Sequence, residues 1–105
     1  MSRLLKATTW NHVRGLAPLA ACGQIFADRH PGLDFRAETH DARIFGEGPL
    51  EPLARAFDLV VFDHPLTGLC AEEGLFLPLD RHLDAEILEE RRRSSVGASF
   101  ASYQF

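Results

Sequence analysis

Cysteine is scarce in this chain. Cys22 and Cys70 are the only two, far apart and in no CxxC pair, which removes a zinc ribbon and a thioredoxin-type redox motif. Each lies among small apolar neighbours, so both are expected to be buried thiols that behave as small hydrophobes. An excess of basic charge is also missing. The 11 Lys and Arg stand against 15 Asp and Glu, a net charge of −4, whereas nucleic-acid binding calls for clustered cations. The one basic run, Arg91-Arg92-Arg93, follows Glu86, Glu89 and Glu90 and reads as a solvated helix end, with cations near the negative pole of the helix dipole. No apolar stretch approaches the roughly 18–20 residues of a membrane span. Nor does the stretch Met1-Ser2-Arg3-Leu4-Leu5-Lys6 read as a signal peptide, so the chain as written is expected in the cytoplasm.

Several catalytic signatures are missing as well. The sequence carries no GxGxxG, no GxxxxGK(S/T) and no GxSxG, which sets aside a dinucleotide fingerprint, a P-loop and a nucleophile elbow. Asp63 ends an expected strand, as the phospho-accepting residue of a receiver domain does. A receiver also needs an acidic pair after its first strand, where Thr8-Thr9-Trp10-Asn11 stands here.

What remains is an ordinary globular composition: 105 residues, 46% hydrophobic and 25% charged. That length supports one domain, with burial of roughly 60–70% of the unfolded surface. Leu4 to Thr9 reads as a strand. From Leu16 the period changes: Leu16, Leu19, Ala20, Gly23, Phe26 and Ala27 form one stripe of an amphipathic helix. Pro18 is expected in its first turn, and His30-Pro31-Gly32 ends it. Leu33 to Thr39 alternates apolar with charged residues, the mark of a half-buried, edge-like strand. His40 to Gly48 reads as a loop with one helical turn, and Pro49 to Phe57 as a short helix. Leu59-Val60-Val61-Phe62, between Asp58 and Asp63, suits a central parallel strand buried on both faces. Thr67 to Glu73 is expected to be helical and closed by Gly74, Leu75 to Asp80 extended as an edge piece or a packed loop because of Pro78, and Asp84 to Arg93 helical with Asp84 as its cap. Strands alternating with helices predict an α/β fold with a parallel sheet and helices on both faces.

In such a sheet, ligands bind beyond the carboxyl ends of the strands, where strand order reverses. Two loops are expected there. One holds Thr8, Thr9, Trp10, Asn11, His12, Arg14 and Gly15, the other Asp63, His64 and Pro65; His64 is expected to be extended because Pro65 follows it. An aromatic face beside directional donors and acceptors suits a polar small molecule with an apolar side, such as a sugar. Each residue also has a plainer use: Trp10 as the edge of a core, Asn11 as a turn former, Asp63 as the cap of the next helix. The five histidines, at positions 12, 30, 40, 64 and 82, show no HxH or HxxxH spacing. Only His12 and His64, with Asp63, come near a ligand set.

Three stretches carry a resemblance. Leu5-Lys6-Ala7-Thr8-Thr9-Trp10-Asn11-His12-Val13-Arg14-Gly15, the helix end Phe26-Ala27-Asp28-Arg29-His30-Pro31-Gly32 and Asp58-Leu59-Val60-Val61-Phe62-Asp63-His64-Pro65 resemble the N-terminal lobe of extracellular solute-binding proteins. These are the substrate-capturing subunits of ABC importers, often for carbohydrates. Glu73-Gly74-Leu75-Phe76-Leu77-Pro78-Leu79-Asp80 and Ser94-Ser95-Val96-Gly97 are similar to the succeeding stretches of that family's chains.

The resemblance implies that residues 1–105 are part of a three-layer, parallel-sheet lobe of the type II periplasmic-binding-protein-like fold. Two such lobes close like a hinge on a ligand. Thr9, Trp10, Asn11, His12, Asp63 and His64 would face the cleft. It further implies a carbohydrate or similar polar ligand, permease subunits as partners, a periplasmic location, no cofactor and no catalysis. Members of the family carry a leader and a second lobe, so this segment alone is expected to bind weakly or not at all. Two other readings remain open: a small cytosolic α/β enzyme or metal-binding domain using Asp63, His12 and His64, and an interaction module using Phe100, Tyr103 and Phe105.

Overall fold

A computed structural model describes residues 3–97 and 100–101, so Tyr103 and Phe105 lie outside the described residues. The chain divides into two compact units, residues 1–63 and 64–105.

The first unit is α/β. It contains β1 (Arg3–Trp10), α1 (Val13–Arg29), β2 (Leu33–His40), α2 (Ala42–Glu47), α3 (Glu51–Ala56) and β3 (Leu59–Val60). The strands form one parallel sheet in the order β2-β1-β3. β1 and β2 pair along their whole length, from Arg3 with Leu33 to Trp10 with His40. β1, and not the apolar run after Asp58, is the strand buried on both faces: Ala7, Thr8 and Thr9 are all fully buried. α1 packs over one face of β1 and α2 over the other, which closes these positions off from water. β3 is only two residues long and, among the described residues, pairs with β1 alone; Leu59 is 48% exposed. Its ladder starts abruptly, because the Asp58 carboxylate takes the Lys6 N–H at 2.9 Å in place of a backbone carbonyl. The ladder ends as the chain turns to α2, where the Asp63 N–H donates to the Phe45 carbonyl at 2.9 Å.

α1 starts earlier than its apolar stripe suggests. The His12 side chain caps it by accepting the Arg14 N–H, and the helix begins at Val13. Pro18 therefore lies inside the helix rather than in its first turn, and it leaves the Arg14 carbonyl without the usual i+4 donor. The buried face centres on Gly23, where an added Cβ would come within 2.1 Å of the Phe35 ring. Phe26 meets Phe35 edge-on at 6.5 Å. Cys22, one position from this face, is exposed, contrary to its expected burial. β2 keeps the alternation read from the sequence, with Leu33, Phe35 and Ala37 half-buried and Asp34, Arg36 and Glu38 exposed. α2 is capped by Asp41, whose carboxylate accepts the Arg43 N–H at 2.7 Å. Leu50, just before α3, is 1% exposed and is the largest fully buried side chain among the described residues.

The second unit holds α4 (Thr67–Glu73) and α5 (Ala85–Ser94), with 3-10 turns at His64–Leu66 and Leu79–Arg81. His64 opens a turn and is not extended; Pro65 is tolerated there because the first turn needs no N–H from it. Asp63 does not cap α4, whose N-cap is Leu66. Gly74 ends α4 in the left-handed conformation, as expected. Residues 75–80 form no strand, and Leu77 and Leu79 are 73% and 62% exposed. Asp84 stands at the N-cap of α5 but makes no side-chain capping bond. The basic run ends α5, with Arg92 paired to Glu89 one turn earlier. Leu66 and Cys70 are the buried apolar side chains of this unit among the described residues; burial, with Glu73 nearby, raises the pKa of the Cys70 thiol.

Candidate functional site

The strand order sets the place of the site. The chain leaves β1 for β2 on one side and returns to β3 on the other, so strand order reverses beside the carboxyl end of β1. The ends of β1, β2 and β3 meet here within the first unit.

Polar side chains are buried at this end of the sheet. Trp10 and His40 are in register, and Thr8 lies on the same side of β1 as Trp10. The Thr8 hydroxyl and His40 Nδ1 share a buried hydrogen bond of 2.9 Å. His40 is 8% exposed, and its Nε2 is buried without a hydrogen-bond partner. Burial lowers the pKa of His40, outweighing the opposing pull of Asp41, so the neutral ring is favoured. Thr9 points to the opposite side, beneath the first turn of α1. Its Oγ1 is also buried and without a partner, 3.0 Å from where a Cβ on Gly15 would stand.

Above these groups lies a stack of rings. Trp10 lies 4.7 Å from His12 at an interplanar angle of 9°, and 5.3 Å from Phe45 at 22°. Phe45 in turn lies 6.2 Å from His40. Gly15 makes room for the indole, since a Cβ there would meet Trp10 Nε1 at 2.3 Å. His12 is exposed, and its Nδ1 accepts the Arg14 N–H at 3.0 Å. An accepting Nδ1 places the proton of the neutral ring on Nε2. His12 therefore offers one outward donor, held in place by the helix it caps.

Of the residues singled out from the sequence, Thr9, Trp10 and His12 converge here, although Thr9 is sealed beneath α1 and Trp10 is engaged by neighbouring rings. Asn11 is exposed beside them, its backbone N–H held by the His40 carbonyl at 2.9 Å. Half-buried Asp63 is tied through its N–H to Phe45, which itself stacks on Trp10. His64 is exposed and is the first residue of the second unit. Thr8, also placed in this loop from the sequence, is fully buried instead; His40 and Phe45 did not stand out. The alternation of β2 puts His40 on the same side as the exposed Asp34, Arg36 and Glu38, and it is buried because α2 brings Phe45 over the end of the strand. The Asp41 cap immediately after His40 is the signal that foretold such a turn.

Chemically, the exposed residues after β1 present an amide and an imidazole N–H beside the stacked rings, and half-buried Asp63 lies next to Phe45 through its backbone N–H. The Thr8–His40 pair has the spacing of a hydroxyl with its base, but Thr8 is fully buried and has no access to a substrate. Among the described residues, no group of three or more His, Cys, Asp or Glu side chains is arranged to hold a metal ion, and no helix is long and apolar enough to cross a membrane. Compared with known family models, curated proteins and solved structures, the chain matches none.

Proposed function

We propose that this chain is part of the N-terminal, ligand-binding lobe of a solute-binding protein of an ABC importer, for a sugar or a similar polar small molecule. The observation that carries the reading is the reversal of strand order beside β1, with Asn11 and His12 following one strand and Asp63 following the other. Open α/β sheets bind ligands at such a point. The mixture of groups also fits a polyhydroxylated ligand. The Asp63 carboxylate accepts hydroxyl protons, His12 Nε2 donates, Asn11 does both, and the rings cover C–H faces. In this reading the lobe completes a cleft with a second lobe of the type II periplasmic-binding kind and hands its ligand to permease subunits.

Isothermal titration of the full-length protein that contains this segment with a panel of neutral sugars and sugar phosphates should give saturable binding with at least one of them. Asn11→Ala combined with Asp63→Asn should weaken that binding about tenfold or more. Unchanged affinity in the double variant, or no response to any compound in the panel, overturns the assignment.

A further inference from the structure

The longer open edge of the sheet lies at β2. Among the described residues, this eight-residue strand pairs with β1 and with no other strand. The direction of its backbone groups follows from its hydrogen bonds. Arg3 N–H donates to the Gly32 carbonyl and Asn11 N–H to the His40 carbonyl, so even-numbered residues face β1. The N–H and C=O groups of Phe35, Ala37 and Thr39 therefore point outward along the open edge. An open edge of this length is a template for another strand.

Two further features say what that strand is. The exposed side of β2 reads Asp34, Arg36, Glu38, so cations and anions alternate along it. The other side borders a groove of about 340 Å³ lined by Leu16, Ala20, Gly23 and Ala27 of α1 with Phe35 and Ala37. We propose that this edge is a self-association surface, on which β2 of a second copy of the chain pairs antiparallel about a two-fold axis at Ala37. In that register Ala37 faces its own copy and Phe35 faces Thr39, through the outward backbone groups. Arg36 then stands opposite Glu38 twice, once on each side of the axis, and Asp34 stands opposite His40. Sliding the strands to centre on Arg36 would instead set Arg36 against Arg36 and Asp34 against Glu38, so charge selects against that register. Only a partner with the complementary order of charges satisfies the strand, and the chain itself has that order when reversed. The small Ala37 on the axis leaves the two grooves open to each other, so α1 of each copy covers the other's apolar floor. The contact is isologous and closes at two copies.

Charge exchange tests the pairing. Sedimentation velocity of the wild-type chain from about 5 to 500 μM should show a concentration-dependent dimer that weakens as salt is raised. R36E sets glutamate against glutamate and E38R sets arginine against arginine, so each alone should weaken the dimer about tenfold or more. Mixing R36E with E38R should restore it, because the heterodimer regains both opposite-charge pairs. A37P provides a separate check. Its lost N–H is one that β1 does not use, so circular dichroism should stay that of the wild type while the dimer is lost. A monomer at every concentration overturns the proposal, as does a dimer indifferent to R36E or a mixture that fails to reassociate.

Discussion

The two units of the chain draw their order from different sources. In residues 1–63 a strand is buried on both faces, its polar side chains are hydrogen-bonded or sealed under a helix, and Leu50 is enclosed. In residues 64–105 the order is mostly local. It consists of short helices, turn bonds and exposed ion pairs, while Leu77, Leu79, Leu83 and Ile87 remain between 43% and 73% exposed. Local hydrogen bonds without buried apolar area contribute little net stability. The difference shows that a helix in this chain is not itself a sign of a core. α1 is anchored because Gly23 lets Phe35 approach, whereas α5 is held chiefly by its own charges and hydroxyls.

Paired truncations test that contrast most strongly. Leu50→Ala should destabilise the first unit by about 2–5 kcal/mol, while Leu77→Ala should change stability by less than about 0.5 kcal/mol. Urea unfolding followed by far-ultraviolet circular dichroism, to which the helices of both units contribute, measures both. Equal losses would remove the distinction. Next comes Thr8→Val, which keeps the shape but leaves His40 Nδ1 buried without its partner. A loss of about 1–3 kcal/mol in the same assay is expected.

A subtler effect depends on pH. The folded chain favours neutral His40, whose pKa lies below the ordinary value of 6.5, so the unfolded chain binds more protons in that range and stability rises with pH. The contribution of His40 is therefore complete above about pH 6.5 and is lost as pH falls through the lowered folded value. The urea midpoint should fall between pH 7.5 and pH 5.5, and less steeply in His40→Gln. The smallest effect belongs to the second unit. Arg92→Ala breaks the exposed pair with Glu89 and should leave the unfolding midpoint unchanged within error.

Much of the first unit was readable from residue order. The stripe from Leu16 to Ala27, the stop at His30-Pro31-Gly32 and the alternation from Leu33 to Glu38 each express one periodicity, and each became the expected element. What misled was local apolarity. Leu59-Val60-Val61-Phe62 is greasier than Ala7-Thr8-Thr9, yet the threonines occupy the centre. Burial of a strand is decided by what packs over both its faces, which is set by contacts far away in sequence. His40 was hidden for a related reason. The alternation of its own strand counts it among the exposed positions, and only Phe45, five residues on, covers it. At the site, Trp10 and His12 stood out because rare side chains draw notice. The bond from His12 to the Arg14 N–H depends on α1 starting at Val13, which the apolar stripe alone dates three residues too late.

Pro18 gives that early start a mechanical meaning. With the Arg14 carbonyl lacking its usual donor, the opening turn of α1 is fastened to the rest of the helix by one bond fewer than its length allows. Behind that gap the helix is pinned at Gly23 against Phe35; ahead of it, the turn is gripped by His12, whose ring lies on Trp10. The stack of His12 on Trp10, the last residue of β1, therefore supplies part of the anchorage that Pro18 withholds from the opening turn.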